Sequence, residues 1–148
     1  MTDFLVYDVF TDQTFGGNPL AVIPDARGIA EVDLQKVARE FNFSETTFVY
    51  PAEAGCDAKV RIFTPTMEVP FAGHPTVGTA LALRDLGRVG DEMVLELGVG
   101  PIPVAISSPT RPRSRKAKAV PTVGCPAKGT SIVGVKIRTF ASPPASAG

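Results

Sequence analysis

Negative charge is missing from the end of this chain. From Ser107 to Gly148 there are 8 Lys+Arg and no Asp or Glu, whereas Met1 to Ile106 carries 7 Lys+Arg against 15 Asp+Glu. The formal net charge of zero over 148 residues therefore hides an acidic part followed by a basic tail. Cysteine is also scarce. Cys56 and Cys125 are too few and too far apart for a disulfide framework or a zinc site, so no metal is expected and two reduced thiols point to a cytoplasmic setting. No apolar run approaches the roughly 18 residues of a membrane span. The N-terminus has no basic flank followed by an apolar core, which argues against a signal peptide. There is a single histidine, His74, so any imidazole chemistry must use it.

What is present reads as one α+β unit. Strand-like content occurs at Phe4–Phe10, Pro19–Pro24, Phe43–Tyr50, Ala58–Thr64, Met93–Leu97 and Ile102–Ile106. Ile29–Phe41 spaces Val32, Leu34, Val37, Ala38 and Phe41 as one face of a helix. A second helix is expected over Gly73–Leu86, with Val77, Ala80, Leu81 and Leu83 apolar and Gly87 closing it. Residues 1–106 thus form a domain of ordinary size. Residues 107–148 are rich in Pro, Ser and Ala and are expected to be largely disordered, since they hold too little apolar content to offset chain entropy. Forty-two residues without an acid also resemble translation of another reading frame. The basic run Arg111 to Lys118 has no aromatic residue among its cations to stack on bases, which argues against a nucleic-acid partner.

The chemistry-bearing candidates lie in two stretches. In Pro70-Phe-Ala-Gly-His-Pro-Thr-Val-Gly-Thr-Ala80 a loop turns into a helix. Pro75 suits the first helical position, which would leave the amides of Thr76 and Val77 without intrahelical acceptors. Such an end favours an anion. Gly73 would let backbone approach a ligand, with His74 beside it to orient a substrate or relay a proton. The same residues equally form a plain turn capping a structural helix. In Phe43-Ser-Glu-Thr-Thr-Phe-Val49, alternation places Glu45 with Phe43, Thr47 and Val49, and Ser44 with Thr46 and Phe48. A carboxyl group in apolar surroundings suits acid/base work, although a glutamate facing solvent on an edge strand is the commoner case. The loop Gly16-Gly17-Asn18-Pro19 could cradle a ligand but lacks the lysine of a phosphate-binding loop. Lys59 and Arg61 alternate with Val60 and Ile62, as on a solvated strand face, and Glu68 reads as a surface residue.

Taken in order, Asp8-Val-Phe-Thr11 with Gly17-Asn-Pro-Leu-Ala-Val22, Ala38 to Val49, Arg61-Ile-Phe-Thr-Pro65, and Pro70 to Ala80 resemble the phenazine-biosynthesis PhzF-like isomerases. The resemblance runs from about Asp3 to Ile106 and implies the N-terminal half of a diaminopimelate epimerase-like fold, a curved mixed sheet around a central helix. It implies a cofactor-free isomerase or epimerase that moves a hydrogen between ring carbons of a small cyclic or aromatic carboxylate. Glu45 and His74 would then be catalytic, and Gly73, Thr76, Val77 and Asn18 would bind substrate. Ala72 stands where diaminopimelate epimerases and proline racemases carry cysteine, so a two-cysteine mechanism is not implied. Full members of the family are nearly twice as long, and their second half completes the cleft. The alternative is a non-catalytic half-domain or dimerisation module, active only as a homodimer or not at all.

Overall fold

A computed structural model describes residues 2–11, 15–53 and 55–106. The expectations for 107–148 lie outside the described residues. The chain order is β1 (Leu5–Val9), β2 (Asn18–Ile23), α1 (Glu31–Phe41), β3 (Glu45–Tyr50), β4 (Ala58–Phe63), β5 (Glu68–Val69), α2 (Gly73–Asp85), β6 (Glu92–Leu97) and β7 (Gly100–Ala105). One mixed sheet runs β1-β2-β3-β4-β6-β7, and the two-residue β5 pairs with β4. The β2/β3 and β4/β6 pairs are parallel, and the others are antiparallel. Parallel neighbours need crossovers, and the two helices supply them.

The helices occupy opposite faces of the sheet. Alternation along β3 sends Thr47 and Val49 toward α2, while Phe48 joins the cluster under α1. That smaller cluster holds Ile23, Leu34, Ala38 and Phe63, with Phe48 and Phe63 meeting edge to face. The larger cluster gathers Tyr7, Val9, Leu20, Val22, Ile62 and Leu95 around Leu81 and Leu83 of α2. From Pro75 to Leu83 the second helix is buried apart from a half-exposed Val77. The expected apolar stripe is therefore too narrow: a helix enclosed on every side is apolar, or small, all round. Gly87 ends it as expected, at φ 68°, with its amide on the Arg84 carbonyl and the Arg88 amide on that of Leu83.

Small residues set the closest approaches. A Cβ on Gly78 would sit 2.5 Å from Leu20 Cδ2 and 2.9 Å from Val9 Cγ2, so α2 lies almost directly on β1 and β2. The Thr79 hydroxyl donates to Thr47 Oγ1 at 2.8 Å, which ties the helix to β3. On the outer face the charges expected to be merely solvated are paired. Lys59 meets Glu96 at 3.1 Å, and Arg61 bridges Glu31 of α1 at 2.6 Å and Glu68 of β5 at 2.7 Å. β5 was not legible in sequence, because two residues carry no periodicity. It forms because Thr64 Oγ1 accepts from the Thr66 and Met67 amides and folds the chain back on β4.

Candidate active site

Glu45 and His74 come together at one end of the sheet, where β3 begins and α2 starts. His74 Nδ1 lies 3.2 Å from Glu45 Oε2, with the two side chains 10% and 17% exposed. The contact is close but not aligned as a hydrogen bond, so Glu45 Oε2 is buried without a partner, as is His74 Nε2. Two polar atoms kept dry and unsatisfied are costly. They are also free to engage whatever enters.

The ring is oriented from the first residue of β2. Asn18 Nδ2 lies 3.3 Å from His74 Nδ1 and donates to it in the tautomer that leaves Nδ1 unprotonated. Ser44 Oγ donates to Asn18 Oδ1 at 2.9 Å. Asn18 thus holds the histidine in place rather than simply lining a cradle. Ser44 was assigned by alternation to the opposite face. It escapes that rule because β3 begins only at Glu45, leaving Ser44 in the preceding loop. Gly17 permits the arrangement: a Cβ there would lie 2.4 Å from the Val9 carbonyl oxygen and 2.9 Å from Asp8 Oδ1. Burial drives the His74 pKa below its ordinary value, against the opposing pull of the Glu45 carboxylate and the Pro19 carbonyl.

The second helix begins at Gly73, as its expected span did, but Pro75 is then its third residue and not its first, which changes the helix mouth. The Thr76 amide donates to the Ala72 carbonyl at 3.3 Å while its hydroxyl donates to the same oxygen at 2.6 Å. Val77 is far enough inside to join the helical ladder. The expectation that Thr76 and Val77 offer free amides is corrected: those without an acceptor among the described residues belong to Gly73 and His74. Gly73 is exposed, and a Cβ there would meet nothing within 4 Å, so its surroundings are open. No group of acids, histidines and cysteines suited to a metal occurs among the described residues.

This geometry can be set beside known proteins. A family model described as phenazine biosynthesis-like protein, PhzC-PhzF, matches residues 7–134. The chain belongs to the PhzC-PhzF family. The match continues past Ile106, where the recognisable motifs stop. An uncharacterised isomerase of Mesorhizobium japonicum is 50% identical over 108 residues, which is 71% of this chain and 36% of that protein. The trans-2,3-dihydro-3-hydroxyanthranilate isomerase of Pseudomonas aeruginosa is 42% identical over 106 residues, 72% of this chain and 38% of its own length. A crystal structure of a PhzF-family phenazine biosynthesis protein from Bacillus anthracis superposes with a TM-score of 0.68 at 35% identity, covering 74% of this chain and 38% of that one. The α+β unit of PhzF-family proteins is therefore the fold of this chain, which spans a little over a third of the length of those relatives. No helix among the described residues is long and apolar enough to cross a membrane.

Proposed function

We propose that this chain carries the acid/base centre of a cofactor-independent isomerase acting on a small cyclic carboxylate. The supporting observation is the buried Glu45–His74 contact, at the mouth of α2, with one polar atom of each residue unpartnered. In this reading the Gly73 and His74 amides, at the positive end of the helix, hold the substrate carboxylate. Glu45 takes a proton from one ring carbon, the electron pair spreads over the conjugated ring, and the proton returns to another carbon. Atoms and charge balance without a redox partner. His74, kept neutral by burial, hydrogen-bonds through Nε2 to a ring substituent and steadies the delocalised charge. Relatives named for isomerising a dihydro-hydroxyanthranilate supply the substrate class. Two cysteines without disulfide spacing fit a cytoplasmic workplace.

The test is exchange of hydrogen with solvent. The full chain is incubated with a 2,3-dihydro-3-hydroxyanthranilate in heavy water, and ring deuteration and isomer ratio are read by NMR. Glu45→Gln should slow both by about 10²-fold or more, the usual worth of a positioned acid/base group. Equal rates for the two proteins would overturn the assignment. A second reading, an inactive half-domain, draws on the chain's spanning 36% of its Mesorhizobium relative. It predicts no turnover by either protein.

A further inference from the structure

The fold treats the two nitrogens of His74 differently. Nδ1 faces Asn18 Nδ2 at 3.3 Å and Glu45 Oε2 at 3.2 Å. Nε2 is buried with no partner among the described residues. Burial keeps the ring neutral, against the Glu45 carboxylate and the Pro19 carbonyl, which would each favour a second proton. A neutral ring carries one N–H, so one nitrogen donates and the other accepts. The amide nitrogen of Asn18 has no capacity to accept. A proton on Nδ1 would therefore set N–H against N–H across that contact. It would gain no hydrogen bond from Glu45 either, because the approach is off axis and Oε2 stays unpartnered. The donor would be stranded in a dry place. The way round of the Asn18 amide is fixed in turn. Ser44 Oγ donates to Oδ1 at 2.9 Å. The amide NH2 and Glu45 Oε2 both lie within 3.3 Å of Nδ1, so the positive end of the amide shares that corner with a carboxylate that its oxygen would repel. Asn18 itself is held by pairing with Val9 at the start of β2.

We infer that Asn18, itself oriented by Ser44, is a positioning residue that fixes His74 as its Nε2–H tautomer, so that the buried Nε2 meets a ligand only as a donor. The chain of donors runs one way, from the Ser44 hydroxyl to Asn18 Oδ1 and from Asn18 Nδ2 to His74 Nδ1. A ligand held there presents an oxygen acceptor to Nε2, such as a carbonyl, hydroxyl or enolate oxygen. The neutral ring cannot draw a proton from that ligand through Nε2, so of the pair Glu45 alone is left to take one. This deepens the acid/base reading and rests on it for what Nε2 meets. The tautomer itself is read without substrate, so an inactive chain tests it equally well.

His74 is the only histidine in the chain, so its ring nitrogens can be read singly. The full 148-residue chain, labelled with nitrogen-15, is studied by long-range proton–nitrogen NMR at about pH 8, above the ordinary histidine value of about 6.5. Nε2 should carry the proton by about ten to one or more, with Nδ1 at the shift of an unprotonated nitrogen. Asn18→Asp puts an acceptor where the donor stood and should move the proton to Nδ1. Ser44→Ala frees the amide to turn and should admit a share of the Nδ1–H form, while Ser44→Thr keeps the hydroxyl and should restore the wild-type pattern. Unchanged far-UV circular dichroism identifies variants that remain folded. Asn18→Leu, which has no donor, replaces Asn18→Asp if that variant does not fold, and should give both tautomers. A wild-type ring protonated at Nδ1 overturns the inference. So does a folded Asn18 or Ser44→Ala variant whose ring is no different from wild type.

Discussion

Replacing Gly78 by alanine sets two effects of opposite sign against each other. In a helix interior the change should stabilise by about 1 kcal/mol, because alanine loses less backbone entropy. Against that stands the new methyl. Carbon atoms in contact prefer about 3.5–4.0 Å, and here the separations would be 2.5 Å to Leu20 Cδ2 and 2.9 Å to Val9 Cγ2. Both neighbours are fully buried. Leu20 has a rotatable end held in a close-packed interior, and Val9 is stiff at χ1. Overpacking of this kind costs about 1–3 kcal/mol. The overlap wins, leaving a net loss of about 1 kcal/mol. Gly73→Ala is the control: the same atoms are added at the start of the same helix, where nothing lies within 4 Å. It should be neutral or stabilising by a few tenths of a kcal/mol. The chain has no tryptophan, so urea unfolding is followed by far-UV circular dichroism. With an m-value of about 1–2 kcal/mol/M, the Gly78 variant should unfold at a midpoint lower by about 0.5–1 M. A midpoint raised in both variants would refute the close approach of α2 to β1 and β2.

Two further outcomes follow from the same packing. Thr79→Val removes a buried donor but leaves Thr47 able to donate to the Ala21 carbonyl at 3.5 Å, so it should cost about 1 kcal/mol. Thr47→Val strands the Thr79 hydroxyl and should cost more, and the double variant less than the sum, as urea titrations in a double-mutant cycle would show. The His74 pKa is lowered by burial, so as pH falls the unfolded chain takes up the proton first. Stability should therefore be intact above the ordinary histidine value of about 6.5 and decline below it, until the folded ring is protonated too. His74→Gln should flatten that part of the urea midpoint against pH profile, and an unchanged slope would count against a buried neutral ring.

The site became visible only when elements distant in sequence were superimposed. Alternation alone put Glu45 on the face of Thr47 and Val49, and that face does look toward α2. Alternation failed for Ser44, one residue outside the strand. The expected helix span began at Gly73, as observed, but proline placement made Pro75 its first position and so put the open amides at Thr76 and Val77, whereas the Ala72 carbonyl captures both the amide and the hydroxyl of Thr76. Nothing local could reveal that Asn18, 56 positions from His74, fixes its ring.

Local chemistry determined the elements. Hydrophobic period, turn glycines and the Gly-His-Pro stretch are properties of neighbours along the chain, and they sufficed for two helices, six of the seven strands and the family resemblance. Tertiary structure decided which faces are buried, which amides stay open, and that Glu45 meets His74 in a dry contact. These depend on the distances of closest approach set by Gly17 and Gly78 and on the strand order. Such quantities arise only when segments far apart in sequence exclude water together.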